Sequence, residues 1–431
     1  MTATSIASTD VAIVGGGVMG CATAWHLAAR GQKVALFERA EIAAEQSSRA
    51  WGFIRQQGRH QAEVPLSSEA NRLWVEITAR YGVDSTGFTP GGILVPAENS
   101  EDEARIVDGL AVARRMGLGT QMLDGAGVRE LIPEMSGSWR SGLYTPGDAH
   151  GEPALSTHTI ALAAREMGAK LYERTPVFGI ETKGGKVCGV MTGRGQCAAP
   201  IVVVASGVGS SALAKPLGIN LPIQIARSSV AQTVAATPFT RVAMWGPKVA
   251  FRPRLDGSFV LGNGYRGVGI DYDLTIDSFN NLRYFLPSYR RNWRLLRLNL
   301  GAESLLHLRA RFSRRPAQRA LPEPQVNETK VAHNAAAFRA LFPHVGPLRL
   351  ARTWAGRLDL TPDAIPIIDQ PSTIQGLFVA AGFSGHGFAL GPSVGKQIAE
   401  WILDGKSSLE LAAFRLSRFA EGATSTANKA L

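Results

Sequence analysis

Three glycines spaced as Gly15-x-Gly17-x-x-Gly20, between the apolar run Val11 to Val14 and a helical pattern ending at Gly31, have the spacing a backbone needs to receive a phosphate. Gly15 permits a tight turn off a strand, Gly17 lets a pyrophosphate approach the main chain, and Gly20 lets the helix pack close on the sheet. The helix N-terminus offers its unpaired N–H groups to the anion. A second apolar run, Val34 to Phe37, finishes on Glu38, whose carboxylate suits a pair of ribose hydroxyls. An acid at that place argues against a 2′-phosphate and leaves NAD or FAD. A glycine-rich turn with no ligand is the alternative, and the agreement of strand, spacing, helix and terminal acid speaks against it.

Two further stretches join this one. Ser47-Ser48-Arg49-Ala50-Trp51-Gly52-Phe53-Ile54-Arg55 mixes small hydroxyls with two arginines and suits a loop beside phosphates or an acidic ligand, plain surface charge being the other reading. Gly382-Phe383-Ser384-Gly385-His386-Gly387-Phe388 follows an apolar run, Leu377 to Ala381, and precedes a helical pattern from about 391 to 404. It repeats the opening logic of strand, glycine loop and helix, which predicts a ligand held at both ends. The run Ile201 to Ala205, stopped by Ser206-Gly207, presents another turn to the same side. Cys21 lies in the first helical turn, where a helix N-terminus would lower its pKa, or else it is a small residue packed on the sheet. With Cys188 and Cys197 it offers no closed disulfide framework and no metal spacing, so a reducing cytosol and no metal are expected.

The elements that must position these residues alternate strand and helix, an α/β pattern. Leu66, Ala70, Leu73, Trp74 and Ile77 share one side of a helix over 65–82. A strand over Gly91 to Val95, a helix over 101–116 and a short helix over 124–135, broken at Pro133, read as a cap inserted between parts of a nucleotide domain. After Asp148-Ala149-His150-Gly151-Glu152-Pro153 the first pattern returns, with a helix over 155–168, strands over Lys170 to Tyr172 and Pro176 to Thr182, and a Gly184-Gly185 hairpin into Val187 to Thr192. From about 222 to 265 alternation dominates, predicting an antiparallel sheet as the floor of a substrate pocket. Residues 277–345 read as mainly helical and basic.

At 431 residues and 45% hydrophobic content the chain is long enough for two domains with real cores. Residues 1–10 are polar and small and read as a frayed tail, not a signal peptide. No apolar run approaches the length of a membrane span. The net charge of +11 is uneven: residues 283–319 carry ten arginines against one acid, Glu303. That block is a solvated face by default, or a contact for acidic lipid or a partner chain; without a recognised binding fold, nucleic acid is excluded.

The glycine motif with Glu38, the Ser47-Ser48-Arg49 loop, the strand ending in Ala205-Ser206-Gly207 and above all the Gly382 to Phe388 stretch resemble the D-amino-acid oxidase superfamily of FAD enzymes, over about residues 10–410. Trp354-Ala355-Gly356 and Asp359-x-Thr361-Pro362-Asp363 make the chain most similar to sarcosine oxidases, the beta subunits of multi-subunit sarcosine oxidases, and D-hydroxyproline dehydrogenases. The resemblance implies oxidation of the C–N bond of secondary amines or amino acids by hydride transfer to flavin. It assigns Gly15, Gly17 and Gly20 to the pyrophosphate turn, Glu38 to the adenosine ribose and Val177 to the adenine, with Val18, Met19 and Arg39 as further cofactor-binding residues. Ser47, Ser48 and Arg49 run past the pyrophosphate and flavin, with Ala205, Ser206, Gly207 and Gly356 beside them. Gly385, His386, Gly387 and Phe388 lie under the pyrimidine ring, where the helix dipole stabilises negative charge. Arg55 matches an arginine that binds substrate carboxylate, a salt bridge within the protein being the competing role.

Three departures shape the expectation. Gly356 stands near the family's flavin-linking cysteine, so FAD is expected to be noncovalent. Ala389 replaces a lysine that helps bind carboxylate. Val260 lies near the position of an oxygen-activating lysine, which tilts the reading toward a dehydrogenase. His386, Tyr265, Arg357 and Asp359 complete the candidate pocket groups. The expected architecture is a Rossmann-type FAD domain from residues 1–85, 150–220 and 346–431, and a mostly antiparallel-sheet substrate domain from 86–149 and 221–345 with a basic helical segment over 277–320. An oxygen-reducing oxidase and a flavoprotein subunit at a membrane surface or in a complex remain alternatives. The electron acceptor, whether oxygen, a quinone or a carrier protein, and a homo-oligomeric state stay open. The expected location is cytoplasmic, with peripheral contact at the inner membrane face left open.

Overall fold

The computed structural model describes residues 6–298 and 322–422. Strand β1 (Val11–Val14) is buried along its whole length, as a strand covered on both faces must be. It pairs in parallel with β2 (Val34–Phe37), which pairs in parallel with β3 (Lys170–Tyr172), and on its other side with β4 (Ile201–Val204). Between β4 and the end of this sheet the chain makes most of a second one. There β5 (Gln224–Thr233) runs antiparallel to β6 (Leu350–Leu360) in register from Gln224 opposite Leu360 to Ala231 opposite Thr353. The chain then returns: β7 (Ile367–Asp369) pairs antiparallel with β8 (Leu377–Ala381), and β8 pairs in parallel with β4.

The first sheet therefore has the order β7-β8-β4-β1-β2-β3. Because β1, β2, β4 and β8 are parallel, the turns after them fall along one edge. Gly15, Glu38, Ser206-Gly207 and Gly382 meet there, although 367 residues separate the first from the last. This edge is where an open α/β sheet takes its ligand.

Helix α1 (Val18–Ala29) is buried on nearly every side. The first sheet covers one face, and α4 (Gly387–Asp404) packs so tightly on another that a Cβ at Gly391 would come within 2.4 Å of Val18 Cγ2 and one at Gly395 within 2.5 Å of the Ala22 carbonyl carbon. Helix α4 begins at Gly387, about four residues before the expected start. Gly387, Gly391 and Pro392 are poor helix formers, and close packing on α1 overrides their propensity.

The second sheet continues from β5 through Phe259–Asn263 and Val249–Pro253 to a strand at Ala243–Trp245, joined in parallel by Ile93–Ala97. The helix Glu328–Leu341 covers it, and Phe251, Phe259, Phe338 and Phe342 pack edge-on and tilted beneath, with ring centroids 5.0–6.0 Å apart. Each contributes on the order of 1.5–3 kcal/mol by burial.

The long helix α2 (Val64–Tyr81) crosses to α4, where Trp74 Nε1 donates to the Ala389 carbonyl at 2.9 Å. Glu69 accepts from Ser393 Oγ at 2.6 Å, from Gln397 Nε2 at 2.8 Å and from Lys396.

Two readings of the sequence change. Residues 6–10 are not frayed: Ile6 N and Thr9 N each donate to the strand at Gly195–Ala198, at 3.0 Å. Strand β6 joins the second sheet, although 346–431 reads as part of the nucleotide unit, because its alternation matches β5. The described part of the basic stretch is mainly helical, as expected: a 3₁₀ turn at Ile276–Asn281, α3 (Leu282–Arg291) and a 3₁₀ turn at Trp293–Leu295, then a short strand at Leu296–Leu298, with irregular chain from Pro322 to the helix Glu328–Leu341. Residues 299–321 of that stretch lie outside the described residues. Among the described residues no helix is long and apolar enough to cross a membrane.

Candidate active site

A cavity of about 1930 Å³ runs from the glycine edge of the first sheet to the second sheet. Typical small-molecule pockets span roughly 300–1,000 Å³, so a dinucleotide and a small substrate fit together. Gly15, Gly17, Val18, Met19, Glu38, Arg39, Ser47, Val177, Ala205, Ser206 and Gly207 line one end.

The three glycines of the motif differ in what holds them. A Cβ at Gly15, whose φ is +116°, would lie 2.3 Å from the Ala205 carbonyl oxygen, and one at Gly20 would lie 1.9 Å from the Gly15 carbonyl oxygen. Gly17 is extended, and a Cβ there would meet only Ser47 Oγ, at 3.1 Å. Fold geometry thus requires Gly15 and Gly20, whereas Gly17 leaves open space over a helix N-terminus. That is a cradle for a pyrophosphate, and the residues present fit FAD. Ser47 Oγ accepts from Val18 N at 2.9 Å, which satisfies one of the unpaired donors of α1. Glu38 lines the cavity while its carboxylate accepts from Gly16 N at 2.7 Å and Ala40 N at 2.8 Å. Gly20 and Ser48 lie behind the lining, with Ser48 Oγ bonded to the Glu45 carbonyl at 3.0 Å. Arg49 lines the cavity but spends its donors on the Glu45 carbonyl, Ser48 Oγ and Glu323.

Gly356 also lines the cavity, and its missing Cβ would sit 2.9 Å from Arg49 Cβ. Cys21, Cys188 and Cys197 are the only cysteines of the chain, and none lines the cavity. A cysteinyl flavin link is therefore ruled out. Burial pushes the Cys21 thiol pKa up, so it is a packing residue and not a reactive one.

The other end of the cavity gathers charged and polar side chains from several elements. Gly385, His386, Gly387 and Phe388 form the first turn of α4 and the loop before it. Ser384 is held at φ +51°, a left-handed conformation that a serine rarely adopts, with its hydroxyl accepting from Thr361 N at 3.1 Å. Asp359 fixes the same loop: its carboxylate accepts from Gly382 N at 2.7 Å and from Gln46 Nε2 at 2.8 Å. Burial pushes its pKa up against those bonds. Arg357 donates to Glu45 at 2.7 Å and to the Pro322 carbonyl at 2.6 Å. The Tyr265 hydroxyl donates to the Pro96 carbonyl at 2.7 Å. Asp359, Arg357 and Tyr265 all border the cavity with their polar atoms committed to the protein.

Arg55 and His386 are placed differently. Arg55 lies deep in the cavity, stacked 4.9 Å over the Trp245 ring, and keeps partial access to the open space. Burial and the nearby Arg59 push its pKa down to about 9, which leaves it charged at neutral pH. His386 Nδ1 lies 3.0 Å from Glu63 Oε1. Burial, reinforced by Arg59, pushes the imidazole down to about 4, while Glu63 is held below the usual carboxylate range by His386 and Arg59 despite its own burial. The pair is thus a carboxylate and a neutral imidazole, with Nδ1–H donating and Nε2 left as an acceptor.

Glu63, Arg59 and Asp148 escaped the sequence reading. Arg55, Arg59 and Glu63 follow one another at intervals of four, a charge pattern just before an amphipathic helix that was the available signal. Asp148 is 1% exposed and accepts from Gln56 N at 2.7 Å, and burial pushes its pKa up to about 7 against that bond and the charge of Arg55. Its folded pKa lies above the 3.8 of an ordinary aspartate, so the buried acid costs stability that grows as pH rises from about 3.8 to about 7 and levels off above that. Asp148→Asn keeps the acceptor for Gln56 N and removes the charge. It is expected to raise stability at pH 8 by about 2–4 kcal/mol and to leave it unchanged at pH 4, read from urea unfolding at the two pH values. No difference between the two pH values would mean that Asp148 is not buried as described.

Known proteins resemble this chain over nearly its whole length. Residues 10–401 match the family described as FAD dependent oxidoreductase. A glycine oxidase of Geobacillus kaustophilus is 27% identical over 95% of this chain and 97% of that protein. The sarcosine oxidase subunit beta of Rhizobium meliloti is 26% identical over 96% and 89%. Among solved structures, the L-amino acid deaminase of Proteus myxofaciens superposes with a TM-score of 0.87 over 96% of this chain and 94% of that one, at 23% identity.

Proposed function

The chain belongs to the family of FAD-dependent oxidoreductases, and from that premise we propose that it oxidises the C–N bond of a secondary or cyclic amine or amino acid, as a dehydrogenase. The observation that carries the reading is one cavity joining the Gly17 cradle to Arg55 and the neutral His386. When bound along Gly15, Gly17, Glu38 and the Gly385–Phe388 turn, FAD supplies the hydride acceptor. The protein's own part is positioning. Arg55 offers a planar guanidinium to a carboxylate. Burial and two arginines disfavour an ammonium, so the amine is held neutral, the form that can release hydride. His386 Nε2 is an acceptor for the amine N–H, with its tautomer fixed by Glu63. Trp245 and Phe388 add apolar surface to the lining, which favours a site poor in water.

Transfer to an acceptor other than oxygen is supported by the lining itself, which includes no lysine among the described residues. Val260, where the resemblance looks for one, is buried in the second sheet outside the cavity. The deciding experiment is anaerobic mixing of the holoenzyme with a panel of N-methyl, cyclic and D-amino acids, watched at the oxidised flavin band, followed by air. Bleaching by one compound with slow recovery supports a dehydrogenase and identifies its substrate. Fast recovery with peroxide makes it an oxidase, and no bleaching by any amine removes the amine reading.

One specific feature favours a second reading, that the enzyme works at an anionic membrane surface and passes electrons to a carrier there. Phe279, Trp293 and Leu298 are 65%, 65% and 67% exposed, and they sit among Arg283, Arg290, Arg291, Arg294 and Arg297 without an acid between residues 278 and 298. Helix α3 in the middle of this patch also walls the cavity through Tyr284, Pro287 and Ser288. Exposed aromatic and apolar groups close in sequence to several arginines suit a lipid headgroup region. Each arginine at such a surface is worth about 1 kcal/mol. Arg290→Glu with Arg294→Glu is therefore expected to weaken co-sedimentation with phosphatidylserine vesicles by roughly 30-fold or more. Arg297 is left in place because it pairs with Asp271 at 3.5 Å. Equal sedimentation of variant and wild type would remove the reading. The three free cysteines support a reducing compartment for the body of the enzyme.

A further inference from the structure

The cavity reaches the protein surface at two places of different chemistry. One mouth runs along the helix Ser100–Arg115, whose Glu101, Ala104, Arg105 and Asp108 are exposed and line the opening beside Trp245 and Tyr265. The other lies under α3, where Tyr272, Tyr284, Pro287, Leu295 and Phe419 form an aromatic and apolar wall and Arg283 and Arg291 stand at the rim. Helix Ser100–Arg115 packs on the strand Ile93–Ala97 and α3 on the strand Asp271–Leu274, and four strands of the second sheet stand between those two. Measured across the sheet, the mouths are therefore roughly 24 Å apart. We infer that the mouth under α3 admits a quinone, which collects the electrons there while the amine enters and leaves along Ser100–Arg115. The inference rests on the dehydrogenase reading and gives its electron carrier a chemical class and a place.

The apolar wall continues inward to the flavin end of the site. Leu358 belongs to the same cluster as Tyr272, Tyr284 and Leu295, and a Cβ at Gly385 would lie 2.9 Å from Leu358 Cδ2. A molecule lying against these side chains comes up to the turn that the resemblance places under the flavin, whereas an opening for loading the nucleotide would sit by Glu38 and Val177 at the far end. Arg283 stacks 4.5 Å over the Tyr284 ring and donates to its hydroxyl at 2.5 Å, which stiffens the aromatic wall. Asn292 borders the same mouth with its Nδ2 only loosely held, 3.4 Å from the Tyr272 hydroxyl, and so keeps a donor for a quinone carbonyl. Flat rings around a few polar groups suit a planar, uncharged ligand. Outside the mouth, α3 is flanked by the exposed Phe279 and Trp293, the groups read above as facing lipid, where an apolar quinone is held. The quinone takes up the two electrons and the proton that reached the flavin as hydride, together with one proton from water, and leaves as the quinol. Because the amine and the quinone use separate mouths, neither waits for the other to depart.

The test uses the FAD-loaded full chain. Heptylhydroxyquinoline N-oxide, a redox-inert quinone mimic, reports binding by the loss of its fluorescence. Decylubiquinone, mixed with enzyme whose flavin has been photoreduced under nitrogen, reports electron transfer at the flavin band. Wild type is expected to bind the mimic at micromolar concentration and to be reoxidised by decylubiquinone faster than by air. Leu295→Glu, which sets a charge in the apolar wall, is expected to weaken the mimic and slow that reoxidation about tenfold or more, while bleaching by an amine changes less than about twofold. Ala104→Trp, which fills the other mouth, is expected to do the reverse. If Leu295→Glu does not fold, Tyr284→Ala, which removes a ring from the same wall, is expected to show the same loss. No binding of the mimic by wild type at millimolar concentration, unchanged binding in the α3-side variants, or an equal loss in Ala104→Trp would overturn the inference. Photoreduction needs no amine, so the two failures are separable. Reoxidation by decylubiquinone in a protein that no amine bleaches removes the amine reading alone, whereas bleaching by an amine in a protein that neither binds the mimic nor yields electrons to decylubiquinone removes the quinone mouth alone.

Discussion

Gly17→Ala is expected to strip the protein of FAD while leaving the apoprotein folded. Gly17 is in extended backbone that any residue adopts, at φ −78° and ψ 177°, and an added methyl group meets only the Ser47 hydroxyl at 3.1 Å, which turns aside. The same methyl group stands where a pyrophosphate must come against the backbone. Loss of that approach is expected to weaken FAD binding about 100-fold or more, equivalent to about 3 kcal/mol. The apoprotein melting temperature should stay within about 2 °C, since a surface-like change away from packing is usually within about 0.5 kcal/mol. Gly20→Ala is the contrast, because its Cβ would fall 1.9 Å from a backbone oxygen and the helix would have to leave the sheet. Flavin absorbance of the purified variants, with scanning fluorimetry of the apoproteins, separates the two. A Gly17→Ala variant that retains stoichiometric FAD would show that the cofactor does not approach the loop at this point.

Glu152→Ala is expected to be the most damaging change outside the glycine loop. Glu152 accepts from Arg252 at 2.8 Å and from both ends of the Arg254 guanidinium at 2.9 Å. Arg252 is 2% exposed, and its Nε reaches the Trp51 carbonyl at 2.5 Å, so this network holds the loop that carries Trp51 and Arg55 into the cavity. Removing the carboxylate leaves a buried cation unpaired, which costs about 3–5 kcal/mol. Adding Arg252→Met to Glu152→Ala should recover part of the loss by removing the orphan charge. Burial works to raise the Glu152 pKa, but Arg252 and Arg254 pull it down to about 2. A depressed carboxylate contributes stability that is present above its unfolded pKa and lost as pH falls, here between about 4.5 and 2. Urea midpoints of wild type and variant should converge over that interval. A constant gap between them across it would mean that the ion network is not what Glu152 supplies.

The nucleotide end of the site was legible in the sequence because its signal is local. Strand, glycine spacing and terminal acid occupy a single stretch of 28 residues, Val11 to Glu38, and each glycine answers to a steric demand that follows from its place between strand and helix. The substrate end was legible only in part. Arg55 and His386 stood in recognisable motifs, but the partner that fixes the imidazole, Glu63, is 323 residues away from it. Arg59 carried in sequence only its four-residue spacing from Arg55 and Glu63; burial sets it apart, and burial is a tertiary property. Asp359 and Arg357 erred the other way, since charged residues in a conspicuous motif proved to be fastening a loop. The early start of α4 and the membership of β6 share one cause: packing on α1 and pairing with β5 outweigh local propensity.

The strand order of the first sheet bears on how the enzyme is made. Strand β1 leaves the ribosome first, and its sheet is complete only when β7 and β8 have followed it past residue 381. At about 5–20 residues per second the interval is on the order of tens of seconds. Through that time the glycine loop exists without the turn at Gly382 or the helix start at Gly387, and β4 shows an unpaired apolar edge of the kind that invites misassociation. Cofactor loading therefore belongs to the finished chain, and the nascent one depends on whatever shields that edge until its last strands arrive.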